Sequence, residues 1–258
     1  MDLGLSGRTA LITGGSKGIG AAAAESLAAA GCHLHLAART EAELEATQRR
    51  LSERHDVTVA IHPTDLANGD AARALVDTCK GVDILVNNAG AIPAGDIHDV
   101  TEDRWREAWD LKVFGYQNMC RAMLAHMRER EHGVIINVVG AAGEAPTPGY
   151  IAGSAGNASI MAMTRALGAT SRSFGVRVVG INPGLIATDR LVTLMKTKAQ
   201  TELGDGERWR DLLDQTYPPG MPEHIGDMVA FLASDRSANT TGTIITIDGG
   251  SSARGTSL

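Results

Sequence analysis

Apolar positions along the chain gather into short runs separated by amphipathic stretches. The runs "TALIT", "HLHLA", "VTVAI", "DILVN", "GVIINVV", "VRVVGI" and "TIITI" are rich in β-branched residues and bounded by turn formers. Between them the spacing turns helical. An alanine-rich helix is predicted from Gly18 to Ala30, stopped by Gly31. A second runs from about Glu41 to Arg54, with Leu44, Thr47 and Leu51 on one side and charges on the other. Met119, Met123 and Met127 lie four apart and form one stripe of a further helix, read as core or subunit contact rather than as a cofactor box. Strand and helix in alternation predict an α/β fold with a doubly wound parallel sheet, covered by helices on both faces.

At 258 residues the chain is long enough for one substantial core, so a single domain over 1–258 is expected. The longest break in the alternation spans about 185–220. It reads either as a lid over a ligand crevice or as a plain pair of surface helices.

Charge narrows the partners. The formal net charge is −6 with acids and bases mixed along the chain, and aromatics make up only 3%. Neither a basic footprint nor an aromatic platform for nucleic acid is present, nor a basic face for an anionic membrane. A small-molecule substrate or ligand is the expected partner. The N-terminal residues lack the pattern of a signal peptide and no apolar run reaches bilayer length, so a cytoplasmic location is expected. Cys32, Cys79 and Cys120 are widely spaced, which suggests buried reduced thiols and no metal site.

The candidate chemistry begins at "TALITGGSKGIG", an apolar strand, a glycine turn and a helix start. Gly14, Gly18 and Gly20 let the backbone approach a pyrophosphate, and the helix N-terminus offers unpaired N–H groups and a favourable dipole. This placement inside the first βαβ unit makes the glycine pattern informative.

"TGGSKGIG" at 13–20 resembles the TGxxxGxG turn of the short-chain dehydrogenase/reductase family. "DLA" at Asp65, "NNAG" at 87–90, "NPGLIATD" at 182–189 and "TGTIITIDGG" at 241–250 follow in that family's order and spacing, so the resemblance spans essentially the whole chain. It implies a Rossmann-type sheet of seven parallel strands, a nicotinamide dinucleotide cofactor and oxidoreductase activity. It also implies a homo-oligomer, tetramer or dimer, built on the helices after the fourth and fifth strands. By the same likeness the cofactor residues are Gly14, Ser16, Lys17, Gly18, Ile19 and Gly20 on the turn, with Asp65 at the adenine amino group and Leu66 beside it. Asn87, Ala89, Gly90, Pro183 and Gly184 line the cofactor further on, and Thr188 meets the carboxamide.

Charge at the second strand favours NADP(H) over NAD(H). Ala38 stands where an NAD-preferring enzyme has an acid for the ribose, Arg39 follows it, and Lys17 adds a second cation for a 2′-phosphate.

The family's proton chemistry rests on a Tyr-x-x-x-Lys pair, a serine and a helper asparagine. Counted from "NASIMAMTRALG", the tyrosine position falls on Gly153, the lysine on Asn157, the serine on Gly140 and the asparagine on Lys112. The resemblance therefore implies an intact scaffold with an atypical active site. Tyr150, Lys112 and Asn157 are the candidate catalytic residues. Lys112 and Asn157 look like an amide and an ammonium that have exchanged places, and Tyr150 precedes Asn157 by the spacing of the family's enoyl-reductase branch. Three readings stay open: an oxidoreductase with a rebuilt site, which family likeness makes the default; an inactive NADP(H)-binding sensor or partner subunit; and a non-redox enzyme of lyase or hydratase type using Glu144 or His98.

Overall fold

A computed structural model describes residues 2–253. The chain runs β1 (Thr9–Thr13), α1 (Gly18–Ala29), β2 (His33–Ala38), α2 (Glu41–Arg54), β3 (Val59–Pro63), α3 (Gly69–Thr78) and β4 (Ile84–Asn87). It continues with α4 (Glu102–Trp109), a π-helical turn (Asp110–Phe114), α5 (Gly115–Glu129), β5 (Gly133–Val138), α6 (Ile151–Ser171), β6 (Val176–Pro183), α7 (Asp189–Leu203), α8 (Pro222–Ala233) and β7 (Ile244–Ile247). All pairings are parallel, and the seven strands lie in the order β3-β2-β1-β4-β5-β6-β7. The chain thus leaves β3 at one edge and returns on the far side of β1, which opens a crevice between the C-terminal ends of β1 and β4.

Successive strand residues feed opposite layers, which is why the strands read as unbroken apolar runs. Ala10 and Ile12 of β1 pack with Leu27 of α1, Leu44 and Leu51 of α2, and Ile225 and Val229 of α8. Leu11, between them, points to the layer of Leu75 and Val76 of α3 and of Met119, Met123 and Met127 of α5. The methionine stripe is core. The buried side of α2 consists of Leu44, Thr47 and Leu51, as its spacing predicts.

The excursion after β6 contains α7 and a 3-10 turn (Gly206–Leu212), joined through Leu191, Met195, Ala199 and Trp209. Its two ends are pinched together: Ala187 N–H donates to the Gly220 carbonyl and Gly220 N–H to the Leu185 carbonyl, each at 2.8 Å. Among the described residues no helix is long and apolar enough to cross a membrane.

Candidate active site

Thr13 ends β1 and ties it to β4, its hydroxyl oxygen accepting from Asn88 N–H at 2.9 Å and Ala89 N–H at 3.1 Å. Gly14 has φ +65°, and a side chain there would strike Asn88 and Ala89. A Cβ on Gly20 would fall 2.1 Å from the Gly14 carbonyl oxygen, so α1 starts directly against the turn. Ile19 packs partly onto the core below.

Helix α1 has no side-chain cap, whereas Asn68 caps α3 by accepting from the Asp70 and Ala71 N–H groups. The first turn of α1 therefore presents free donors, the arrangement that suits a pyrophosphate. Across the crevice, Thr188 places its Cγ2 3.4 Å from where a Gly18 Cβ would lie. Thr188 also caps α7 through Leu191 N–H, and behind it Pro183 ends β6 while Gly184 N–H donates to the Ile247 carbonyl at 3.0 Å.

The residues expected to recognise the nucleotide divide. Arg39 is exposed at the end of β2 and pairs with no acid among the described residues. Lys17, expected to face the same phosphate, instead bonds Glu43 at 2.9 Å, and Ser16 donates to the other oxygen of that carboxylate at 3.1 Å. The Lys17 hydrogen bond, foremost, holds the Glu43 carboxyl below the usual carboxylate range. Asp65 is exposed above buried Leu66, with its Oδ1 accepting from Ala67 N–H. Asn87, expected to line the cofactor, turns its amide into the interior. There Nδ2 donates to Asn137 Oδ1 at 2.9 Å and to Cys120 Sγ at 3.3 Å. A side chain at the last buried residue of β4 faces the α5 layer, so only its backbone faces the crevice.

Two of the three candidate catalytic residues, Lys112 and Asn157, meet at the end of β5, and Tyr150 is held separately beside Arg190. Lys112, in the π-helical turn, donates from Nζ to the Val139 carbonyl at 2.6 Å. Asn157, on α6, donates from Nδ2 to the next carbonyl, Gly140, at 3.3 Å. Ammonium and amide thus hold successive carbonyls of one strand end. Asn157 Oδ1 is buried without a hydrogen-bond partner. Burial first, then the Arg190 charge, pushes Lys112 down to about 7. Gly140 has φ +140°, and a Cβ there would lie 2.7 Å from Asn157 Nδ2.

Tyr150 packs with Ile92, Trp105 and Ala152, and its ring covers the Cα of Gly153. Its hydroxyl oxygen accepts from Arg190 at 3.1 Å. Arg190 also donates to the Gly90 carbonyl and the Ile92 carbonyl, both at 2.9 Å. The sequence reading missed this residue. Its signal was a cation in the first turn of α7, where the helix dipole disfavours it unless other acceptors hold it. Tyr116, by contrast, donates to the Val138 carbonyl, and burial raises its phenol far above the ordinary value. Glu144 is engaged by Asn182 and Thr246, and His98 is exposed on a loop; neither hydrogen-bonds to the Tyr150 and Arg190 group.

This chain belongs to the short chain dehydrogenase family, which it matches over residues 8–199. Among its relatives, oxidoreductase UcpA of Salmonella typhimurium is 33% identical over 258 residues, covering 96% of this chain and 95% of that protein. The 3-oxoacyl-(acyl-carrier-protein) reductase FabG of Vibrio cholerae is also 33% identical, over 96% of this chain and 98% of its own. The crystal structure of L-sorbose reductase from Gluconobacter frateurii, complexed with NADPH and L-sorbose, superposes with a TM-score of 0.89 at 30% identity. It covers 96% of this chain and 98% of that one. The chain is thus similar to NAD(P)-dependent oxidoreductases along its whole length.

Proposed function

We propose that this protein is an NADP(H)-preferring oxidoreductase that interconverts a carbonyl compound and its alcohol, with Tyr150 moving the proton in place of a tyrosine at position 153. The observation that carries this reading is the three-way bridge from Arg190 to Gly90, Ile92 and Tyr150. A guanidinium can only donate, so the phenolic oxygen must accept from it and its own proton is left for a ligand. The arginine also sets a permanent positive charge beside the oxygen that would carry negative charge after the proton leaves.

Bound NADP(H) supplies or accepts the hydride. Every other role falls to the chain. The uncapped start of α1 and the close glycine turn fit a pyrophosphate, and the orphaned Asn157 Oδ1 suits a ribose hydroxyl as donor. Arg39, beside Ala38, is the cation for a 2′-phosphate. Lys112, titrating near neutrality, holds a reserve proton at the end of β5. Residues 1–258 act as one cofactor-binding domain, with 185–220 as its lid. Thr188 and Arg190 both stand at the start of α7, so movement of the lid would part Arg190 from Tyr150 and couple closure to assembly of the acid.

The test is a fluorescence titration with NADPH and NADH, followed by ketones, enones and alcohols monitored by cofactor absorbance. Turnover should fall roughly 100-fold or more in Tyr150→Phe while NADPH affinity stays within a factor of about two. A Tyr150→Phe enzyme as fast as wild type would end the rebuilt-site reading. Tight NADPH binding with no turnover on any class would favour a sensor or partner subunit.

A further inference from the structure

Away from the crevice, a second group of chemistry-bearing side chains comes together at the sheet edge. His35 of β2, His62 of β3 and Cys79, the residue that caps α3, bring one donor atom each to within 4.8 Å of one another. No local spacing links Cys79 to the histidines, because the three residues stand 17, 27 and 44 positions apart along the chain. Strand pairing sets Ala37 opposite His62 and His35 opposite Ala60, so the two imidazoles are diagonal neighbours on one face of the sheet. Docking of α3 on that face then delivers the thiol.

The geometry points to a mononuclear site for a divalent ion of the zinc class, with His35 Nδ1, His62 Nε2 and Cys79 Sγ as ligands and water in the fourth position. Sγ lies 3.5 Å from His35 Nδ1 and 3.7 Å from His62 Nε2, and the two ring nitrogens are 2.8 Å apart. A tetrahedral zinc with ordinary bond lengths needs about 3.6 Å between N and S ligands and about 3.3 Å between two N ligands. The sulfur distances already fit. The nitrogens, drawn together by the hydrogen bond they share, must separate by roughly 0.5 Å, a small rotation of two half-buried rings.

The chemistry suits a borderline-soft cation. Imidazole and thiolate are the donor types such ions select, and hard cations prefer oxygen. Among the described residues no carboxylate or cation pairs with any of the three. Burial lowers both histidines and the neighbouring ring lowers His62 further, which keeps the imidazoles neutral with lone pairs available. Burial pushes the Cys79 thiol up to about 11, so metal binding would displace a proton from it. Of the three ligands, His62 borders a surface depression, lined in part by Ile61, Thr64, Asp65, Leu75 and Thr78. The ion would join the edge strand β3 and the end of α3 to β2. This proposal does not rest on the oxidoreductase reading.

The test titrates the full-length, reduced protein with Zn²⁺ against a chromophoric chelator and, separately, with Co²⁺ followed by its visible d–d and thiolate charge-transfer bands. One equivalent should bind, with a tetrahedral thiolate Co²⁺ spectrum, uptake that weakens steadily as pH falls because binding displaces a proton, and a raised melting temperature. Cys79→Ser and His62→Gln should each weaken uptake by at least the roughly 10- to 100-fold that loss of even an outer-shell partner costs. Cys32→Ser and Cys120→Ser, which alter thiols outside the cluster, should leave it unchanged. Absence of saturable uptake, a Co²⁺ spectrum without thiolate bands, or uptake insensitive to both ligand variants would overturn the assignment. The wild-type cobalt spectrum decides the matter even if a variant fails to fold.

Discussion

The ring of Tyr150 occupies the space above Gly153: a Cβ built on Gly153 would fall 2.0 Å from Tyr150 Cε1 and 2.2 Å from Cζ. The phenol and the missing side chain are therefore one feature. Any residue larger than glycine at 153 must evict the ring.

Gly153→Ala should accordingly lower the melting temperature, in line with the roughly 1–3 kcal/mol cost of overpacking, and lower turnover with it. Combining it with Tyr150→Ala should recover stability and leave turnover lost. Thermal melts and steady-state rates on the four proteins of this cycle check the coupling, and simple additivity of the two substitutions would contradict it.

A serine at position 140 should be tolerated poorly for a backbone reason. Gly140→Ser puts a side chain at φ +140° and against Asn157 Nδ2, so it should destabilise the protein alone by roughly 1–3 kcal/mol, the usual cost of a residue held in such a region. Adding Asn157→Ala removes the contact and leaves the backbone strain. Chemical denaturation of the single and double variants separates the two contributions.

Arg190→Met removes three hydrogen bonds at once and should reduce turnover by roughly 100-fold. Arg190→Lys should recover little of it, because one ammonium cannot reproduce a planar fork spanning two carbonyls and a phenol. Measured kcat and KM should show kcat carrying most of the loss.

The proton on Lys112 gives a pH dependence with a defined sign. The group titrates at about 7 when folded, against 10.5 when free, so between these values the unfolded chain binds the extra proton. Stability should be lowest below about pH 7 and rise as pH increases from 7 towards 10.5. Carbonyl reduction should run the opposite way, falling as pH rises through about 7 and the reserve proton is lost. Lys112→Met should flatten both profiles; melts and kcat/KM across pH 6–10 provide the measurement.

On the proposed NADP(H) reading, cofactor preference should depend on which cation is free. Arg39→Ala should weaken NADPH binding by roughly tenfold and leave NADH nearly unchanged, an effect that shrinks at high salt. Glu43→Gln should release Lys17 and tighten NADPH binding, since the present ion pair holds that ammonium away from a phosphate. Fluorescence titrations at two ionic strengths distinguish these outcomes.

Sequence alone determined the layered parallel sheet, the glycine turn and the cofactor crevice, because each is encoded locally. Apolar runs fix strands, and one short motif fixes a turn and the helix start behind it. That Gly140 and Gly153 carry no side chain and that Asn157 is an amide is equally plain in the sequence. Only the tertiary structure decided what surrounds them. Arg190 is 40 residues from Tyr150 and 100 from Gly90, Lys17 meets Glu43 across a strand, and Asn87 turns inward through its place in the pleat. His35, His62 and Cys79 likewise meet only because β3 pairs with β2 and α3 docks on the same face. Side-chain contacts between distant segments depend on register and packing, which no local pattern in a single chain records.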